Sequence, residues 1–356
     1  MAILRRIYTL LLLLTVAAGL TSCYTTFEPD LPSTPVLCMN SQIRPGEEIP
    51  LMLTRTWLWT EGDEKNLNIF VTDAEVRLIV NGEFRENLSP SVTGNGYDPD
   101  HFLYEEYKCF KSTYVPKSGD RIRLEATSRE YGEAWAETKV PYPVPVDRVV
   151  PDVKECVAVG NTSQLPVTTE PITFDMNFDL MLYFTDPDVR GNYYDLVVSY
   201  SQYQNDEDCY SYLSTLWVDF TKEPLFTEHI SALESALTDN NGYSIFSDRQ
   251  INGKTYPLRI NFPITTFYYS NPLNQQWPKD YGIVLTLRHI DEDYYKHVIS
   301  VWQANTGIVG ALGGVGLASP AFAYSNVSTG AGIVAAYAES EITIPLIDIV
   351  EAAKQK

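Results

Sequence analysis

"AEVRLIVNGEFREN", residues 74–87, is the stretch that decides the fold class predicted for this chain. Val76, Leu78 and Val80 place an apolar side chain at every second position, which is the period of a strand with one buried face. Asn81-Gly82 follows them, and this pair readily adopts the positive φ angles that a two-residue hairpin turn requires. The stretch therefore predicts an antiparallel β-hairpin.

The segments that follow this hairpin predict further antiparallel strands. Apolar and charged side chains alternate in "RIRLEATS", residues 121–128, and "EAWAETKVP", residues 133–141, is another alternating strand that ends on a proline. No long helical period interrupts these segments. Short strands separated by turns favour an immunoglobulin-like β-sandwich, which we assign to residues 36–140.

The second half of the chain is also rich in strand patterns, and it carries one or two helices. "DEDYYKHVISVWQAN", residues 291–305, begins with acidic residues that suit a helix N-terminus and spaces its apolar residues along one face. "LFTEHISALESAL", residues 225–237, is compatible with a second, shorter helix. In four segments, apolar and polar residues alternate or β-branched residues are frequent: "FDMNFDLMLYFTD", "NYYDLVVSYSQY", "TYPLRINFPI" and "YGIVLTLRHI". The sequence therefore predicts a larger, mainly β domain over residues 153–350.

A proline-rich segment separates the two halves. "KVPYPVPVDRVVPDV", residues 139–153, contains four prolines, which disfavour a helix or a central strand and favour an extended linker. We place this linker at residues 141–152. Residues 23–35 contain three further prolines and are predicted to be a tether that precedes the sandwich domain.

The N-terminal segment has the three-part organisation of an export signal. Two arginines precede an apolar run over residues 10–20, which is too short to remain as a membrane-spanning anchor. The run ends in a pattern that resembles the bacterial lipobox, formed by Leu20, Thr21, Ser22 and Cys23. In a lipobox the cysteine is acylated before cleavage on its N-terminal side, so residues 1–22 would be a lipoprotein signal peptide and the N-terminal lipid would hold the chain on a membrane. The alternative is a soluble secreted protein that keeps this cysteine as a spare thiol.

The charge of the chain excludes one class of partner. The formal net charge is −20 at pH 7. A chain this acidic would be repelled by the phosphates of a nucleic acid. We therefore exclude nucleic-acid binding.

Four cysteines remain beside the predicted lipidation site. In an oxidising compartment an even number permits two disulfides, and we expect Cys38 to pair with Cys109 and Cys156 with Cys209. Buried free thiols are the open alternative. No C-x-x-C pair occurs and the chain has four histidines, so no structural zinc site is predicted.

Two motifs imitate known ligand sites. "DPDVRGNYYDLV", residues 186–197, resembles a calcium-binding loop but has no glutamate at its twelfth position, so it predicts either an aspartate-proline turn or a weak calcium site through Asp186, Asp188 and Asn192. "INGKT", residues 251–255, resembles the end of a phosphate-binding loop, but its Asn-Gly pair is typical of a turn. We assign no metal to either motif.

No catalytic signature stands out, and the aromatic residues give the remaining functional indication. The chain has neither a G-x-S-x-G nor an H-E-x-x-H motif, so we predict no enzyme and no cofactor. It has 24 tyrosines and 6 tryptophans, including Trp57 and Trp59. Exposed aromatic side chains could stack on a glycan or anchor a peptide or protein, and the alternative is that they belong to the core.

Several segments, in order along the chain, resemble one lipoprotein family. They include "FTDPDVRGNYYDLVV", "IDEDYYKHVISVWQ" and "PAFAYSNVSTGAGIVAAYAESEITI". Together they resemble the Bacteroidetes lipoproteins of the domain of unknown function 4249, over nearly the whole chain that follows Cys23. The most specific element is Ser325, Asn326 and Val327, followed by Gly330 and Gly332.

The resemblance implies an outer-membrane lipoprotein that is often encoded beside a TonB-dependent receptor. We therefore expect a binding or accessory component of nutrient uptake, anchored on the periplasmic or the cell-surface face of the outer membrane. Its expected partners are the membrane, a TonB-dependent receptor, and a glycan or peptide ligand. The first alternative is a structural or adhesion lipoprotein of the surface, and the second is an enzyme that acts on glycans or peptides.

Overall fold

The computed structural model shows a mainly β protein, which confirms the predicted fold class. It describes residues 34–57, 69–98, 103–159, 172–203, 211–216, 218–228, 243–268, 282–305, 307, 310, 312–313 and 322–345. Within this part of the chain the strands are β1 (Leu37–Ile43), β2 (Pro50–Arg55), β3 (Glu75–Val80), β4 (Glu83–Asn87), β5 (Ser89–Asp98), β6 (Leu103–Lys111), β7 (Arg121–Ser128), β8 (Gly132–Lys139), β9 (Val146–Val159), β10 (Ile172–Thr185), β11 (Tyr193–Tyr203), β12 (Ser211–Thr215), β13 (Ile245–Ser247), β14 (Thr255–Tyr268), β15 (Gly282–Ile290) and β16 (Ala331–Pro345). Helix α1 (Glu292–Asn305) matches the stronger of the two helix predictions. The start of the weaker one falls in a short 3-10 turn, Pro224–Thr227, and its residues from 229 onward lie outside the described part.

The strands form three sheets. The largest has the order β12-β11-β15-β16-β1-β2-β6-β5, with β13 beside β11. The others have the orders β14-β10-β9 and β4-β3-β7-β8. Strand β15 is buried along nearly its whole length, because it lies inside the largest sheet. Ile283, Leu285 and Leu287 on one face belong to a hydrophobic core, whereas Arg288 on the other face pairs with Asp195 and Glu339.

The hairpin predicted at residues 74–87 is formed by β3 and β4. Asn81 has a φ of 54° and Gly82 a φ of 86°, as a two-residue turn of the primed type requires. The Asn81 side chain also holds the next strand, since its Oδ1 accepts a hydrogen bond from the backbone N–H of Arg121 at 2.9 Å. Val76 and Leu78 are almost fully buried, so the alternating pattern identified the inner face correctly.

Two large hydrophobic cores organise the chain. The first lies between the β4-β3-β7-β8 sheet and the β1-β2 part of the largest sheet, which gives the N-terminal part a sandwich arrangement. The second lies between the β14-β10-β9 sheet and the β11-β15 part of the largest sheet. Val140 belongs to the first core and Val144 to the second.

The proline-rich linker predicted at residues 141–152 is shorter than expected. Strand β9 begins at Val146, so the second half of the predicted linker pairs with β10, and Pro151 lies opposite Leu180. β9 is an edge strand of its sheet, where a proline can be accommodated without the loss of a ladder hydrogen bond. The division into two domains stays a prediction, and Val36–Lys356 forms one compact unit.

The C-terminal strand β16 joins the two cores. Its first half pairs in parallel with β1, from Cys38 opposite Ala331 to Ile43 opposite Ala336. Its second half runs antiparallel to β15 as far as Gly282 opposite Pro345. Val334 accordingly belongs to the first core, and Ile344 packs against the second.

Asp291 fastens helix α1 to this junction. Its Oδ1 accepts the backbone N–H of Tyr294 at 2.6 Å, which caps the first turn of the helix. Its Oδ2 accepts the backbone N–H of Ala336 at 2.7 Å and the hydroxyl of Thr138 in β8. Burial raises the pKa of the Asp291 carboxyl to about 6. One side chain thus connects β8, β16 and α1.

The predicted disulfide between Cys38 and Cys109 is not formed. Cys38 has a free thiol, whose Sγ accepts a hydrogen bond from the Asn40 amide at 3.5 Å. Strand β2 lies between β1 and β6, which carry the two cysteines. Two strand spacings amount to roughly 9.5 Å, which exceeds the reach of a disulfide. Cys209 and the side chain of Cys156 lie outside the described part of the chain, so the second pairing stays a prediction.

We predict that Gly332 is required for the β1–β16 pairing. It has a φ of 98°, and a Cβ at this position would lie 2.2 Å from the carbonyl oxygen of Met39 in β1. Gly332→Ala should lower the free energy of unfolding by about 3 kcal/mol, measured by urea denaturation, because the strain of positive φ and a backbone clash act together. Gly46 is the matched control, since its φ is 89° but no atom lies within 4 Å of an added Cβ.

Gly46→Ala should therefore cost only about 1 kcal/mol, from backbone strain alone. Equal losses in the two variants would contradict the role of close approach between β1 and β16.

Candidate functional site

A polar pocket of about 420 Å³ lies where loops from the second half of the chain meet helix α1. Its lining comes from the loop before β11, from the start of β11, from the turn after β13 and from the first turns of α1. The lining residues are Arg190, Gly191, Tyr193, Ser247, Asp248, Arg249, Asn252 and Tyr295. The volume falls within the range of sites that hold small molecules.

Asp248 fixes the two loops that form one wall of the pocket. It is buried, and its Oδ2 accepts the backbone N–H groups of Gly191 at 2.8 Å and Asn192 at 3.0 Å. Its own backbone N–H donates to the carbonyl of Asn192 at 3.0 Å. Ionised carboxylates form strong hydrogen bonds with backbone amides, so this residue holds Arg190 and Arg249 on adjacent loops.

Asp186 also holds these loops in place through hydrogen bonds. Its Oδ1 accepts the Tyr194 hydroxyl at 2.5 Å, and its Oδ2 accepts the backbone N–H of Gly253 at 2.9 Å. Burial raises the pKa of the Asp186 carboxyl, and the charge of Asp248 acts in the same direction. Burial and the hydrogen bond to Asp186 likewise raise the pKa of Tyr194, so its hydroxyl remains a donor.

The weak calcium site considered at Asp186, Asp188 and Asn192 has a different arrangement. The Asn192 side chain turns its amide nitrogen, not its oxygen, toward Asp186 at 3.4 Å and toward the Val189 carbonyl at 2.5 Å. Asp188 is exposed. Within the described residues, no three His, Cys, Asp or Glu side chains are grouped so that they could hold a metal ion. Residues 188–190 form a bend before β11, in which the backbone N–H of Val189 donates to the Pro187 carbonyl at 2.8 Å.

Glu228 orders the opposite wall. Its Oε1 accepts the Tyr295 hydroxyl at 2.8 Å and the backbone N–H of Ser247 at 2.9 Å, and its Oε2 accepts the Ser247 hydroxyl at 3.1 Å. The ring of Tyr193 lies against that of Tyr295, with 4.5 Å between the centroids. The two rings therefore form a fixed aromatic surface beside the charged loops.

The pocket carries two unpaired cations and one unpaired acceptor. Arg190 and Arg249 are exposed, and neither guanidinium has an ion-pair partner among the residues that the structure describes. The Asn252 Oδ1 atom is buried and accepts no hydrogen bond. Buried acceptors without a donor are rare in proteins, and each costs about 1–3 kcal/mol. Two guanidinium groups without an ion-pair partner on one cavity make this pocket the candidate site for an anion.

A second cavity, of about 350 Å³, lies on the outer face of the β4-β3-β7-β8 sheet. Arg121 lies 3.5 Å from Glu137 there, and the Arg123 guanidinium stacks on the Trp135 ring at 3.8 Å and also pairs with Glu125. Because these cations already have partners, this cavity offers a weaker case for a ligand.

Of the residues named from the sequence, Trp57 has 36% of its surface accessible. Trp59 and the whole lipobox, Leu20 to Cys23, lie outside the described residues. Two histidines, His289 and His297, each place Nδ1 against a backbone carbonyl, at 2.7 and 2.6 Å, so both are engaged structurally.

Sequence reasoning missed the pocket itself. Arg190 and Arg249 each lie in a turn and follow an aspartate closely, in "DPDVRGN" and "SDRQING". The sequence signal that could have indicated the pocket was the presence of an arginine in two aspartate-containing turns of a strongly acidic chain. Tyr193 and Tyr295 gave no such signal, because aromatic residues in strand and helix patterns are typical of a core.

The profile of one protein family matches residues 24–343 of the chain. That family is described as a domain of unknown function, DUF4249, and the chain belongs to it. No curated protein matches the sequence significantly. Among the described helices, none is long and apolar enough to cross a membrane.

We predict that Asp248→Ala will loosen both loops of the pocket. The change removes the acceptor of two backbone amides, so we expect a loss of about 2 kcal/mol in the free energy of unfolding by urea denaturation. Asp188→Ala is the matched control, because Asp188 lies in the same loop region but is exposed. Asp188→Ala should cost less than about 0.5 kcal/mol. A loss of that size in Asp248→Ala as well would contradict the role given to Asp248.

Proposed function

We propose that the protein is an outer-membrane lipoprotein that binds a small polar ligand and assists a TonB-dependent receptor in nutrient uptake. The observation that carries the binding role is the pocket between Arg190 and Arg249, where two cations and a buried acceptor have no partner. Unpaired polar groups that converge in a cavity are the usual mark of a ligand site.

The anchoring part of the proposal rests on the sequence at Cys23. Two or three acyl chains at this residue would hold the protein durably, whereas a single chain binds a membrane only marginally. Such an anchor would keep the pocket close to the membrane that a receptor spans. Family membership leaves the activity open, since the family itself has no known function.

A binding role is favoured over catalysis by the state of the carboxylates. Asp248, Asp186 and Glu228 each accept hydrogen bonds that fix loops or side chains. Groups that are committed in this way fix the loops and side chains of a binding site. We therefore propose that the pocket binds its ligand without transforming it.

An adhesion role has one observation in its favour. Phe84 and Trp135 lie on the outer face of the β4-β3-β7-β8 sheet and are 54% and 39% exposed. Exposed aromatic side chains on a sheet face are suited to contact with another protein. Adhesion through this face is the second candidate function, and it is compatible with ligand binding in the Arg190–Arg249 pocket.

Metabolic labelling with an alkyne fatty acid, followed by purification from the solubilised envelope, tests the proposal. The wild-type protein should incorporate label and should co-purify with a TonB-dependent receptor identified by mass spectrometry. Cys23→Ala should lose both the label and the receptor. Cys38→Ala, the matched control, should retain both.

Label in Cys23→Ala would overturn the assignment of the anchor. Recovery of the labelled wild-type protein without any receptor, from an envelope in which other receptor complexes survive, would overturn the accessory role.

A further inference from the structure

We propose that the Arg190–Arg249 pocket binds a carboxylated sugar, such as a hexuronic acid or a short uronic-acid saccharide. This inference rests on the binding role proposed above and names the ligand class. It combines three properties of one cavity: its charge, its unpaired acceptor and its aromatic wall.

The charge of the pocket points to an anion. Other arginines in this half of the chain have acidic partners, for example Arg259 with Asp179 at 2.6 Å and Arg288 with Asp195 at 3.5 Å. Arg190 and Arg249 differ, because neither has such a partner among the described residues. Two free guanidinium groups on one pocket, in a chain of net charge −20, are suited to a carboxylate, which arginine binds through paired hydrogen bonds.

The unpaired acceptor requires a ligand that also donates hydrogen bonds. Asn252 Oδ1 is buried beside the pocket without a donor, and a carboxylate alone could not satisfy it. Asp248 lines the same cavity and offers a second acceptor. Hydroxyl groups on the ligand would donate to the Asp248 carboxylate and, once the Asn252 amide turns toward the cavity, to its oxygen, so the ligand should carry hydroxyls at some distance from its carboxylate.

The aromatic wall suits a sugar ring. Tyr193 and Tyr295 both line the cavity, and Glu228 and the contact between the two rings hold them in place. The C–H face of a sugar ring commonly lies against a tyrosine ring in carbohydrate sites. Burial raises the pKa of Tyr193, so its hydroxyl remains available as a donor to the ligand.

The size of the cavity sets the length of the ligand. A volume of about 420 Å³ is near the lower end of the range for small-molecule sites. The cavity therefore admits one or two sugar units, and a longer saccharide would continue into solvent.

Isothermal titration calorimetry on the full-length protein in detergent tests this assignment, with D-glucuronate and digalacturonate as probes. D-glucose has the hydroxyls without the carboxylate, acetate has the carboxylate without the hydroxyls, and glutamate replaces the hydroxyls by an ammonium group. We expect binding of a uronate at least tenfold tighter than of glucose, acetate or glutamate, and weaker at high salt.

Variants at the pocket separate its three properties. Arg190→Gln and Arg249→Gln should each weaken uronate binding at least tenfold, and Asn252→Leu should weaken it without changing the preference for uronate over glucose, because both sugars carry hydroxyls. Arg121→Gln, at the second cavity, is the matched control and should bind as the wild type does. Circular dichroism and urea denaturation show whether each variant is folded.

Equal binding of uronate and glucose, tighter binding of glutamate, or uronate binding that is unchanged in both arginine variants would overturn the inference. Absence of uronate binding by a protein that still carries lipid and co-purifies with a receptor overturns the ligand class alone. Uronate binding by a protein without lipid or receptor overturns the anchoring and accessory roles and leaves the ligand class standing.

Discussion

The parallel pairing of β1 with β16 is the constraint on which the rest of the structure depends. It brings the first and last described strands together and joins the two halves of the largest sheet, so that residues near the C-terminus complete the core of the N-terminal sandwich. From β16 the connection continues through Asp291 to helix α1, and α1 supplies Tyr295 to the pocket. The position of the pocket wall therefore depends on contacts made far from it.

The acidic and the basic side chains of the pocket have different roles. The buried carboxylates of Asp248 and Glu228 hold loops and aromatic side chains in place through hydrogen bonds to backbone amides and hydroxyls. The arginines have no such role and no ion-pair partner among the described residues, so their charge remains available to a ligand. A strongly acidic chain can present a local cationic site in this way.

Local features of the fold could be predicted from the sequence, and long-range ones could not. The turn at Asn81-Gly82 and the helix at residues 291–305 depend on neighbouring residues, so their patterns were sufficient. The pairing of β1 with β16 joins segments almost 300 residues apart, and no periodic pattern encodes such a partner. The wrong pairing of Cys38 with Cys109 has the same origin, since it required knowledge that β2 lies between their strands. The candidate site combines four segments, which the sequence identified separately as turns, a strand and a helix without indicating that they meet.

Differential scanning calorimetry of the purified protein shows whether β16 makes the two cores one cooperative structure. We expect a single endotherm whose calorimetric and van't Hoff enthalpies agree. Two separate endotherms, or a calorimetric enthalpy well above the van't Hoff value, would contradict it and would show that the sandwich and the second core unfold independently.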